Sequence, residues 1–186
     1  MTTNTTTISI RATFPPDSRE LVENAKSLAR PAGYAMLAAF LLNTVEVIAG
    51  TAISIANELN DPAQQDVLPL FFGTLACCYV VFEIPMLIFI GIGAKSLFTL
   101  GSRALIITAI VMNFIVFLIF CCGVVSNTLL GTWAPVDFAM GTSIATSSVS
   151  SLANLTAAVM AIRVLTFREV ADAYAARAEE RLRRRY

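Results

Sequence analysis

Four long apolar stretches dominate this chain, at about 31–55, 68–92, 104–125 and 138–162. Each is close to the roughly 20 residues a helix needs to cross the hydrocarbon core of a bilayer. Only 14% of residues are charged and 56% are hydrophobic, whereas a soluble domain carries roughly a quarter charged residues. The mean hydropathy is +0.72. Short gaps join the stretches and leave no room for a separate soluble domain. The pattern predicts an all-α membrane protein, a four-helix transmembrane bundle running up-down-up-down.

The charges that remain are sorted along the chain. All 13 Lys and Arg lie before the first stretch, in the middle gap (Lys95, Arg103) or after the fourth. The first and third gaps hold no basic residue but carry Glu58, Asp61, Asp66 and Asp137. Basic loops stay on the cytoplasmic side of a membrane. Both termini are therefore expected in the cytoplasm, with the acidic gaps on the other side; the organelle is left open. In topology alone this plan resembles that of tetraspan proteins of the MARVEL and CD20-like types, a likeness that transfers no site residue.

The flanking segments read as cytoplasmic amphipathic helices. Residues 1–16 form a Thr-rich tail expected to be disordered. Asp17 followed by Glu20 is a capping box that opens a short helix to Arg30, with Leu21, Ala25, Leu28 and Ala29 on one face. It is expected to lie on the membrane surface and to end before Pro31. The tail 163–186 carries a second stripe, Phe167, Val170, Ala171, Tyr174, Ala178 and Leu182. Its last arginines, Arg181, Arg183, Arg184 and Arg185, are placed to contact anionic lipid.

Few polar side chains interrupt the spans: Asn43, Glu46, Glu83, Asn113 and Asn154. Lipid offers them nothing to bond, so they face the bundle interior and seek partners. At about 1.5 Å of rise per residue, Glu83 and Asn113 both fall roughly 14 Å from the basic end of the bundle. Asn154 falls at roughly 12 Å, Asn43 at roughly 18 Å and Glu46 at roughly 22 Å on the same rise. Glu83 is thus expected to meet Asn113 and Asn154. Pro85 removes a backbone donor and kinks the same span. The layer either sets helix register or carries protons or cations along a path through Glu46 and Glu83.

The fourth stretch presents Ser143, Ser147, Ser150, Asn154, Ala158 and Ala161 on one helical face. Small residues there permit close helix packing, within the protomer or against another copy. The pairs Cys77–Cys78 and Cys121–Cys122 are read as small buried apolar residues.

Histidine is absent from the sequence, which removes the commonest general base. Neither a metal-ligand spacing nor a phosphate loop is present, so no metal, cofactor or catalytic residue is expected. The short membrane-proximal basic cluster argues against nucleic acid as a partner. The function expected is a non-enzymatic scaffold or accessory subunit that meets lipids and other membrane proteins or itself. The alternative is a small oligomeric channel or transporter using the intramembrane carboxylates.

Overall fold

A computed structural model describes residues 18–60, 72–74, 77, 79–130 and 138–183. Helix α1 spans Ser18–Asn60. A wide π-turn at Tyr79–Glu83 leads into α2, Ile84–Thr99, and α3 follows at Arg103–Leu130. Helix α4 spans Phe138–Thr166 and α5 spans Arg168–Arg183. No strand occurs among the described residues. Four helical segments are long and apolar enough to cross a membrane: Glu20–Ile53, Val81–Thr99, Arg103–Val125 and Ile144–Thr166. The chain is an all-α four-helix bundle with the character of a multi-pass membrane protein.

The helices form a closed ring. Helix α1 packs on α2 and α4, and α3 closes the circuit by packing on both. The seam of α1 is built from Ala25, Ala29, Ala32, Met36, Ala39 and Asn43, all buried. Steps of four and three residues alternate along it, which is the periodicity of knobs-into-holes packing. Helix α4 answers with Ser150, Asn154, Ala157, Ala161 and Val164. Small side chains on both faces bring the two backbones close.

Helices α1 and α2 interlock through two reciprocal ring-over-glycine contacts. A Cβ built on Gly33 would stand 2.9 Å from the Phe98 ring, and one on Gly91 would stand 3.3 Å from the Phe40 ring. Each helix thus gives one ring and receives one, a heptad apart, in an antiparallel register. Tyr34 meets the edge of Phe98 at 5.0 Å between ring centroids. Helices α2 and α3 come closest at Gly93, where a Cβ would overlap the Ala109 methyl and stand 3.0 Å from Met36 Sδ. Toward the other end, Gly50 and Gly123 have no neighbour among the described residues within 4 Å of the same built atom. The close contacts among the described residues are therefore concentrated toward the termini.

The helix expected to stop at Pro31 does not stop. Helix α1 runs unbroken through it. A proline inside a helix removes one hydrogen bond and clashes with the preceding turn. Here Pro31 sits on the exposed face, while the buried stripe continues from Ala25 to Asn43 without losing phase. Packing on both sides of the proline outweighs the local penalty. The segment 18–30 consequently does not lie flat on a surface; its apolar face packs in the bundle core, against α5 among others.

The middle gap is also shorter than expected. Helix α2 continues to Thr99, and a three-residue turn at 100–102 leads directly into α3. Leu100 takes the left-handed conformation, with φ 46°, and Gly101 N–H donates to Ser96 O at 2.8 Å. This closes the helix in a Schellman-type turn. A leucine is tolerated at a position that favours glycine because its side chain is fully buried.

Helix α5 is clamped against this turn. Arg177 Nη1 donates to the carbonyl of Thr99 and, at 2.9 Å, to that of Leu100. Those carbonyls end α2 and have no partner in their own helix, and a cation is favoured there. The inward face of α5 is Val170, Ala173, Tyr174 and Arg177. The expected stripe was rotated from this: Phe167 and Ala178 are exposed, because Arg177 aligns the helix on the turn. Cys77 and Cys122 are likewise exposed, not buried, and Cys121 is half-buried. A thiol is apolar enough to face lipid. The expected tail at 1–16, Asp17 and the Arg184 and Arg185 contacts lie outside the described residues.

Candidate functional site

The intramembrane polar residues gather on two levels, in pairs different from those expected. Asn43 Nδ2 donates to Asn154 Oδ1 at 2.8 Å, and Asn154 Nδ2 returns a bond to Asn43 Oδ1 at 3.0 Å. Each amide also donates to its own helix one turn back, to Ala39 O and Ser150 O, both at 2.8 Å. Both side chains are buried. Asn113, fully buried, donates to Ala109 O at 2.7 Å. Its Oδ1 accepts no hydrogen bond in the structure.

The second level lies farther from the termini. Ser147 Oγ donates to Glu46 Oε1. Glu46 and Glu83 both line a partly open cleft of about 330 Å³. Asn43, Ser147 and Ser151 add polar groups to its lining. The rest of the lining is apolar: Val47 of α1, Met86 and Leu87 of α2, and Val116, Ile119 and Phe120 of α3. All four spanning helices thus contribute to one cavity on the bundle's interior.

Helix ends explain why Glu83 meets Glu46 and not Asn113 or Asn154. Helix α2 continues to Thr99, seven residues beyond the sequence-based end at 92, which lifts Glu83 by about 10 Å. Helix α4 continues to Thr166, four residues beyond 162, which lifts Asn154 by about 6 Å, to the level of Asn43. Helix α3 starts at Arg103, one residue from expectation, so Asn113 stays near the level of the asparagine pair and below Glu83.

Local backbone geometry aims Glu83 into the cleft. It is the last residue of the π-turn, two positions before Pro85. Pro85 cannot donate to the helix, and the preceding turn widens to accommodate this. The backbone of Glu83 remains helical, with φ −70° and ψ −51°.

The small-residue face of α4 is divided between the two levels. Ser150, Ala158 and Ala161 are buried in the seam, and Ser147 reaches Glu46. Ser143 lies on α4, and the helix α5 carries Arg181 and Arg183. Sequence reasoning missed the glycines: Gly33, Gly91 and Gly93 decide where α1, α2 and α3 touch, and their spacing from Phe40 and Phe98 was the available signal. Among the described residues no group of three His, Cys, Asp or Glu is arranged to hold a metal ion.

Between the cleft and the terminal end the interior is filled. Asn154, Asn113, Met36, Ile90, Leu97 and Ile106 are each fully buried. The paired asparagines and this packed column stand between the cleft and the terminal end. No family model, curated protein or solved structure matches the chain.

Proposed function

We propose that this multi-pass membrane protein is a non-enzymatic accessory subunit or scaffold that organises partners through its outward helix faces. The observation that carries this reading is the filled interior below the cleft. Its polar side chains spend their hydrogen bonds inside the protomer, as Asn43 does with Asn154. A water-filled path for ions would need those groups turned toward a lumen. The outward faces are continuous and apolar: Tyr34, Leu41, Val45 and Ile48 on α1, with Leu152 and Val159 on α4. Lipid covers such faces, and a second membrane protein with small residues can replace it.

The distribution of Lys and Arg supports cytoplasmic termini. Helix α5 would then stand at the inner surface, with Arg181, Arg183, Arg184 and Arg185 beside anionic headgroups, each contributing about 1 kcal/mol of attraction. Purification in mild detergent, with the mass of the complex measured and its components identified, tests the reading. A discrete heteromer with other membrane proteins is expected. A homo-oligomer that conducts ions in liposomes, with flux lost on Glu83→Gln, would replace it. That second reading draws on one observation, the convergence of Glu46 and Glu83 on a single cleft.

A further inference from the structure

From the shape and lining of the cleft we infer that it is a binding site for an organic cation, an alkylammonium group with an apolar flank. This goes beyond the accessory role and does not depend on it. The cavity, about 330 Å³, has room for on the order of ten waters at about 30 Å³ each, which is the size range of small-ligand sites. Its lining combines two chemistries. Glu46, Glu83, Asn43, Ser147 and Ser151 are polar. The remaining side chains are apolar and include Leu87, Val116 and Phe120.

No Lys or Arg is among the described residues lining the cleft. A carboxylate removed from water needs a proton or a cation as partner, and here two of them share one space. Glu46 already uses one oxygen to accept from Ser147, which holds its carboxyl group in a fixed orientation. A small hydrated metal ion would leave the apolar part of the lining unmatched. An ammonium or quaternary ammonium group matches both the carboxylates and the apolar side chains. Its charge faces the carboxylates, its methyl or methylene groups meet Leu87 and Val116, and an aromatic face attracts cations within about 6 Å.

The same chemistry is offered by a soluble amine and by the headgroup of a choline or ethanolamine lipid. Titration calorimetry with benzyltrimethylammonium, on the full chain in a non-ionic detergent, tests the site. Saturable binding is expected, weakened at least about tenfold by Glu46→Gln or Glu83→Gln. Glu83→Asp, which keeps the charge, retains binding. Val116→Phe fills the apolar side without touching a carboxylate and also abolishes binding. Glu23→Gln, on the exposed Lys26 ion pair, changes nothing. Each variant is first checked for a monodisperse elution profile and a wild-type unfolding temperature; a variant that fails is replaced by Leu87→Phe.

Three results would each overturn the inference: no saturable binding, equal binding in the Glu46→Gln/Glu83→Gln double variant, or equal binding of the uncharged carbon analogue. Repeating the titration in phosphatidylcholine nanodiscs and in nanodiscs of an uncharged, choline-free glycolipid identifies the source. Weaker binding in phosphatidylcholine means that its headgroup occupies the cleft, and equal binding means a soluble amine; both outcomes sustain the site.

Discussion

Asn43 and Asn154 stand 111 residues apart in the chain and exchange two amide hydrogen bonds across the α1–α4 seam. In lipid such a pair acts as a register pin. Sliding either helix by one turn would leave two amide oxygens without a donor in an apolar medium, each amide keeping only its bond to its own helix, which costs about 1–3 kcal/mol for each buried group left unmet.

Replacing one asparagine should therefore be worse than replacing both. Asn43→Leu or Asn154→Leu is expected to destabilise the bundle by about 1–3 kcal/mol. The double change to leucine should recover part of that loss, with a coupling of about 1 kcal/mol. Thermal unfolding in detergent, arranged as a double-mutant cycle, measures it. Strictly additive losses would show that the pair does not act as a unit.

Glycine tolerance should divide along the length of the bundle. Gly93→Ala places a methyl group onto Ala109, and overpacking of this kind costs about 1–3 kcal/mol. Ala109→Gly in the same chain should restore most of the stability. Gly123→Ala meets open space and should be neutral or stabilising by up to about 1 kcal/mol through helix propensity. Unfolding temperatures of the three variants decide the matter.

Arg177 should matter for the docking of α5 and little for the spans. Arg177→Gln loses charge-assisted bonds to two carbonyls, worth about 1–2 kcal/mol at a partly exposed site. Faster amide exchange across Arg168–Arg183 is expected, with the exchange of α3 unchanged. Equal acceleration throughout the bundle would mean that the clamp supports the whole fold.

Tyr174 supplies an alkaline limit. Its hydroxyl is buried without a hydrogen-bond partner, and burial pushes its pKa up to about 12, against the lowering influence of Arg103 and Arg177. The folded state thus favours the neutral phenol. Its contribution to stability is complete below the unfolded value of about 10 and is lost as the pH rises from there through about 12. Tyr174→Phe should flatten that alkaline decline and leave stability at neutral pH within about 1 kcal/mol of wild type, since no bond is removed. Near-ultraviolet absorbance and amide exchange of α5, followed together against pH, would reveal either outcome.

The number of spanning helices and their membrane character were legible because they depend only on the length and composition of the apolar runs. The partners of the polar residues were not. Rise per residue converts an error of seven residues at the end of α2 into about 10 Å of height, enough to move Glu83 from the asparagines to Glu46. Leu100 hid that end, since no glycine marks the left-handed position itself; Gly101 follows one residue later. Pro31 misled in the opposite sense: local preference names it a boundary, and the seam from Ala25 to Asn43 overrides it. The stripe of α5 was rotated because an arginine, excluded from any apolar pattern, determines which way that helix faces.

Helix α1 is one rod of 43 residues, about 65 Å long against a hydrocarbon layer of about 30 Å. Membrane thickness acts on such a rod through its tilt. With Ala25 and Ala29 in the same core as Met36 and Ala39, the tilt of this rod is tied to the tilt of the bundle it packs in.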